Sequence, residues 1–148
     1  MLKFLQSVSI FKNLSTEQIA YLYKLLDQKE YKKGDMIIEE GTVDKNLYLI
    51  YEGSVEVLKK GDTGDLVPLA YLAPGEYFGE FSLIDSKPRS ANVKAFDDTT
   101  LILLSVVKYH EFCLKFPGIE TAMLRQFLLD IVFKLRESNE TTASRFLM

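Results

Sequence analysis

The sequence predicts a mainly β fold, a small barrel or sandwich, with helices at both ends, and three observations carry that expectation. Between residues 28 and 105, short β-type runs alternate with glycine-bearing turns. Ahead of them, Ser15 and Gln18 stand at capping-box spacing, with Ile19, Leu22 and Leu26 following on one helical face. After Ser105 the helical period returns. The chain has 148 residues, 47% of them hydrophobic and 26% charged. That is the length of one domain, large enough to fold without disulfides or a structural metal.

Element by element, Phe4, Leu5 and Phe11 form an irregular helical lead-in, and a short helix starts at Ser15. Lys33-Gly34-Asp35 turns into the strand Met36-Ile37-Ile38, and Glu40-Gly41-Thr42 closes it. Residues 47–51 make a strand, Gly53 turns the chain, and residues 54–58 alternate as a second strand, which reads as a hairpin. A polar turn from Gly61 to Asp65 leads to a strand over residues 66–72, placed at a sheet edge by Pro68. Residues 91–95 and 101–104 are further strands. One helix spans residues 107–116, Pro117-Gly118 interrupts, and a longer helix runs over residues 119–139. Its apolar residues cover more than one face, so one face covers the β-region and a second, around Met123, Phe127 and Leu135, is left for self-association. The chain thus reads as a single domain: lead-in 1–27, β-region 28–105, C-terminal helices 106–139 and a tail 140–148 that extends the last helix or frays.

Composition narrows the function. Eighteen Lys and Arg face 21 Asp and Glu, a net charge of −3, with no basic run. This argues against a free-standing nucleic-acid binder. The start lacks a signal peptide's apolar core because Lys3, Gln6 and Ser7 break it, and residues 123–135 are too charged for a membrane span. The single cysteine, Cys113, cannot form an internal disulfide, and the cytoplasm is the expected location. Cys113 reads as a small buried hydrophobe and the lone histidine, His110, as a surface residue. One histidine is too few for a metal-dependent barrel enzyme, no metal site or cofactor is expected, and no catalytic dyad or triad is visible.

The chemistry concentrates in residues 78–93, Phe78-Gly79-Glu80-Phe81-Ser82-Leu83-Ile84-Asp85-Ser86-Lys87-Pro88-Arg89-Ser90-Ala91-Asn92-Val93, which lie between two expected strands where a tight turn would suffice. Gly79 lets a ligand approach the backbone, and Phe81 and Ser82 follow in one helical turn whose N–H groups face an anion. Arg89 offers that anion a bidentate guanidinium, and Glu80 offers an acceptor for a sugar hydroxyl. A plainer alternative is that Glu80 and Arg89 pair with each other and pin the loop.

This stretch resembles the phosphate-binding cassette of the cyclic-nucleotide-binding domain family, which includes protein kinase A regulatory subunits, cyclic-nucleotide-gated channels and bacterial catabolite activator proteins. Gly34, Gly41, Gly53 and Gly75 fall where family members place their turns. The resemblance implies an eight-stranded β-roll, a jelly-roll-like barrel, with an N-terminal helical segment and C-terminal lid helices. It assigns the cyclic phosphate to Arg89, the ribose 2′-hydroxyl to Glu80, and the exocyclic oxygens to backbone amides around Ser82 and Ala91. Gly79 permits the close approach, and Ser90 occupies a position that varies with base preference without deciding it. Candidate base-lid residues are Phe133, Lys134 and Leu135, each of which also reads as core, dimer contact or solvated charge.

The implied function is a non-enzymatic receptor for cAMP, with cGMP admitted, signalling through movement of its C-terminal helices. A homodimer through the last helix and an unidentified downstream protein are the implied partners. The winged helix of catabolite activators has no counterpart before Met148, so direct action on DNA is not expected. The alternative is a module of the same fold that has lost ligand binding and self-associates through the last helix. Nucleotide hydrolysis or synthesis is least favoured, for want of a metal site.

Overall fold

Alternation along two buried strands organises the computed structural model, which describes the backbone of residues 1–146 and the side chains of residues 1–138. Among the described residues there are eight strands: β1 (Asp27–Tyr31), β2 (Met36–Ile38), β3 (Asn46–Glu52), β4 (Val55–Lys60), β5 (Leu66–Leu72), β6 (Tyr77–Phe78), β7 (Asn92–Ala95) and β8 (Thr99–Ser105). They form two antiparallel four-stranded sheets, ordered β1-β8-β3-β6 and β2-β7-β4-β5. Successive strand side chains point to opposite faces. Tyr48, Ile50, Phe78 and Leu101 therefore meet Ile38, Val55 and Val93 between the sheets, whereas Leu47, Leu49, Ile102 and Leu104 pack against the helices.

The helices supply the other wall of that second core. They are α1 (Leu2–Ser7), a 3₁₀ turn (Ser9–Phe11), α2 (Thr16–Tyr23), the short α3 (Phe81–Ile84), α4 (Val106–Lys115) and α5 (Ile119–Phe146). The expected capping box is present in both directions. Gln18 N donates to Ser15 Oγ at 3.1 Å, and Ser15 N donates to Gln18 Oε1 at 2.8 Å. Two of the helix's unmet amides are thereby satisfied before any tertiary contact forms. Pro68 lies in β5, which pairs with β4 alone and is an edge strand as expected.

Several expectations need correction. β3 and β4 are not a hairpin: they belong to different sheets, and Gly53 carries the chain across the gap between them. It does so at φ +89°, where a Cβ would run into Asp98 O and Thr99. The hairpin is β4–β5, closed by the Gly61–Asp65 turn. β1, with four exposed residues in five, and the two-residue β6 carry too little apolar pattern to be seen individually. The tail, left open between extending the last helix and fraying, does the former as far as Phe146, where the described backbone ends.

The second face of α5 was misassigned in part: Leu135 is exposed as expected, but the other two residues are not free. Met123 and Phe127 are fully buried in the helix-facing core. Burial of such side chains contributes about 1.5–3 kcal/mol each. The free apolar face is instead made by Leu124, Leu128, Leu129, Val132, Phe133 and Leu135, all exposed.

Candidate functional site

β6 ends at Phe78, whose ring stacks on Tyr48 of β3 with centroids 4.9 Å apart, and the chain then leaves the sheet at Gly79 with φ +82°. Glu80 opens the single turn α3, within which Leu83 N donates to Glu80 O at 3.0 Å. The segment after α3 bends through Ser86 at φ +56° and is stitched to the β2–β3 connection. Arg89 N donates to Thr42 O and Gly41 N to Arg89 O, each at 2.8 Å, and Asn92 Oδ1 accepts from Glu40 N at 2.8 Å. Lys59 Nζ adds a bond to Ser90 O at 2.7 Å while lying 3.3 Å from Glu40 Oε1. Residues 79–92 are therefore held at both ends.

Arg89 is the buried charge at the centre of this loop, only 7% exposed. Its Nη1 donates to Gly79 O at 2.8 Å, its Nη2 to Asn46 O at 2.6 Å, and Asp44 Oδ1 lies 3.2 Å from Nη2. Removing a cation from water is costly unless it is paired and hydrogen-bonded, and Asp44 supplies the counter-charge. Asp44 is in turn fixed by Asn46 N and Nδ2, both at 3.0 Å, and by the Tyr48 hydroxyl. Burial, reinforced by that carboxylate, holds the Tyr48 phenol well above its usual pKa. Two of the five guanidinium protons go to carbonyls, and among the described residues the buried Arg89 Nε has no hydrogen-bond partner. The structure thus excludes the reading in which Arg89 is spent on Glu80: its ion pair is with Asp44.

Beside the guanidinium lies a cavity of about 280 Å³, walled on the polar side by Glu80, Ser82, Arg89 and Ser90 and on the apolar side by Ile38 and Val57. Gly79, Phe81 and Ala91 also line it, so all seven binding candidates meet there. Glu80 is half-buried, and desolvation raises its carboxyl pKa, against the lowering effects of its own backbone amide, Lys134 and Arg89. Ser82 is buried and its N–H reaches Gly79 O at 3.3 Å, whereas Phe81 and Ser90 are exposed. The cavity thus sets a guanidinium and a carboxylate on its polar side against an apolar wall of Ile38 and Val57.

The three lid candidates do not join this cavity. Phe133 and Lys134 line a neighbouring one of about 320 Å³, with Ser9, Glu76, Tyr77 and Asp130. Lys134 Nζ sits 5.5 Å from the Tyr77 ring centroid, and Leu135 is exposed, lining neither. His110 is exposed and Cys113 is half-buried, its thiol pKa raised by burial. Among the described residues no cluster of three or more His, Cys, Asp or Glu could hold a metal, and no helix is long and apolar enough to cross a membrane.

A model of the cyclic nucleotide-binding domain family matches residues 28–116, from β1 through the cassette to the end of α4. The chain belongs to the cyclic nucleotide-binding domain family. It is 36% identical over 109 residues to a cAMP-dependent protein kinase regulatory subunit of Mycosarcoma maydis, covering 74% of this chain and 21% of that protein. Over 102 residues it is also 36% identical to human cGMP-dependent protein kinase 2, covering 68% of this chain and 13% of that one. The chain therefore spans about a fifth or less of these two relatives. Among solved structures, a cyclic nucleotide-binding domain from Methylobacillus flagellatus KT superposes with a TM-score of 0.84 at 25% identity, covering 99% of this chain and 83% of that one.

In this cyclic nucleotide-binding domain, sequence reasoning missed the residues that support the cassette from other strands. Asp44, Asn46, Tyr48 and Lys59 hold Arg89 and Ser90, and Ile38 and Val57 form the apolar wall. The sequence carries only a weak signal for them: Asp44 is a carboxylate three residues ahead of the buried run Leu47–Ile50, and its neighbour Lys45 offers a nearer cation than Arg89.

Proposed function

We propose that this domain is a non-enzymatic receptor for a 3′,5′-cyclic nucleotide, cAMP in preference with cGMP accommodated, and that it signals by moving α5. The observation that carries the reading is Arg89: a buried guanidinium on a cavity wall, held rigid by Asp44 and two carbonyls, with its Nε still unpartnered. A buried donor without an acceptor costs about 1–3 kcal/mol, which an anionic ligand returns. In this reading Arg89 takes the cyclic phosphate, Glu80 the ribose 2′-hydroxyl, and the amides around Ser82 and Ala91 the exocyclic oxygens. Gly79 and Phe81 shape the approach, Ile38 and Val57 face the base, and Ser90 lies beside it. The relatives named for cAMP and for cGMP are equally similar in identity, which supports the ligand class and leaves the order of the two bases to the titration below.

A second reading, a non-binding module of the same fold that associates through α5, is favoured by the exposed apolar face of that helix. Calorimetric titration with cAMP, cGMP and 5′-AMP separates the two. Saturable heat with a cyclic nucleotide and weaker binding of 5′-AMP supports the receptor. Absence of heat with all three leaves the association module, and a tenfold preference for cGMP reverses the order of the bases.

A further inference from the structure

Asp130, half-buried on α5, accepts hydrogen bonds that originate in three parts of the molecule. Ser9 Oγ of the 3₁₀ turn donates at 2.6 Å, the Tyr77 hydroxyl of β6 donates, and Gln126 Nε2, one turn earlier on α5, donates at 3.0 Å. The Tyr77 ring is held as well, with Phe127 edge-on at 5.7 Å and Lys134 Nζ over its face. Tyr77 stands two residues before Gly79 and three before Glu80, with no loop between. The strand that delivers the cassette is therefore fastened directly to α5. Electrostatic influence crosses the same junction, since Asp130 and Lys134 act on Glu80 with opposite signs. With the fastening made, no described side chain of α5 lines the cassette cavity, and Phe133 and Lys134 face the adjacent one.

We infer that the Ser9–Asp130–Tyr77 cluster is a latch that holds α5 away from the cassette cavity and so opposes nucleotide binding. The inference rests on the receptor reading above. α5 can cover a ligand at the cassette only from another position, and reaching that position forfeits the bonds to Asp130. A ligand that selects the released position binds with its intrinsic affinity reduced by the fraction of molecules already released. Weakening the latch therefore tightens binding, the opposite of what ordinary damage to a fold does.

The test uses Tyr77→Phe, which keeps the ring against Phe127 and Lys134 and removes only the donor, with Ser9→Ala as a second variant on another element. Each should bind cAMP about two- to tenfold more tightly than wild type, the range set by one net hydrogen bond, and the double variant more tightly still. In the absence of nucleotide, backbone hydrogen exchange along residues 119–135 should be faster in both. If wild type binds cAMP and both variants bind it equally or more weakly, the latch is wrong. If wild type binds no cyclic nucleotide, the receptor reading fails instead, and the exchange measurement decides the latch alone: unchanged protection in both variants overturns it.

Discussion

Arg89 occupies the space that a side chain at position 79 would need: a Cβ built on Gly79 stands 2.8 Å from Arg89 Nη1 and 2.9 Å from Asn46 O. The glycine is thus required twice, by its positive φ and by the guanidinium packed on it. Gly79→Ala should destabilise the protein by about 1–3 kcal/mol, read by urea unfolding, and should weaken nucleotide binding because the guanidinium must shift. Gly75→Ala is the control. Gly75 has φ +91° with nothing within 4 Å of its Cβ, so it suffers the conformational penalty alone. Equal destabilisation of the two variants would show that the Arg89 contact carries no weight.

Arg89 and Asp44 make a separable pair of predictions. Arg89→Ala removes the proposed phosphate ligand, and loss of a charge-assisted contact of about 1.5–3 kcal/mol corresponds to roughly ten- to a hundredfold weaker cAMP binding. Arg89→Lys should rescue only in part, because an ammonium cannot reach Gly79 O, Asn46 O and Asp44 together in the guanidinium's planar geometry. Asp44→Asn leaves the two carbonyl anchors in place and should weaken binding less than Arg89→Ala. Wild-type affinity in a folded Arg89→Ala variant would remove Arg89 from the site.

How far the sequence revealed this arrangement depends on how local each cause is. The Ser15–Gln18 capping box is complete within four residues and was legible, as were the β-runs, whose period of two follows from strand geometry. That period identifies a strand without naming its partner, so the Gly53 turn read as a hairpin although it joins two sheets. The cassette residues were legible because they are contiguous. Asp44 was not, since its value comes from an arginine 45 positions later that only the closed roll brings to it. α5 posed a different difficulty. A helix apolar on several sides has no phase of its own, and packing against Tyr77 and the 3₁₀ turn decides that Phe127 goes in and Leu128 stays out.

Glu80 links ligand recognition to pH. Desolvation is the largest cause of its raised pKa, only partly offset by its own backbone amide, Lys134 and Arg89. A carboxyl whose pKa is higher in the folded state favours folding most fully below its ordinary value of 4.5, and that contribution disappears as pH rises through the folded-state pKa. Glu80→Gln should therefore unfold at a higher temperature than wild type at pH 7, with the gap narrowing towards pH 4. The same substitution should weaken cAMP binding. In wild type, 2′-deoxy-cAMP should bind more weakly than cAMP by about 1–3 kcal/mol, the cost of leaving a buried acceptor unmet. Identical affinity for the two nucleotides would detach Glu80 from the ribose, whatever the thermal profiles show.

The last prediction concerns α5 as a surface for a second copy of this chain. Leu124, Leu128, Ile131 and Leu135 follow one another at spacings of four, three and four, the seam of a heptad. Leu124, Leu128 and Leu135 are exposed, while Met123 and Phe127 on the other side are committed to the core. A helix of 28 residues is about 42 Å long, enough for several turns of contact. A heptad seam matches a helix of the same period, and an identical α5 meets that condition. Sedimentation over a wide concentration range should show a monomer–dimer equilibrium, which Leu128→Asp shifts to monomer without lowering the unfolding temperature extrapolated to dilute protein. The variant should still bind cAMP, because position 128 lines no wall of the cassette cavity. Monomer throughout for wild type at the highest concentrations would eliminate the seam as a self-association surface and leave the nucleotide site untouched.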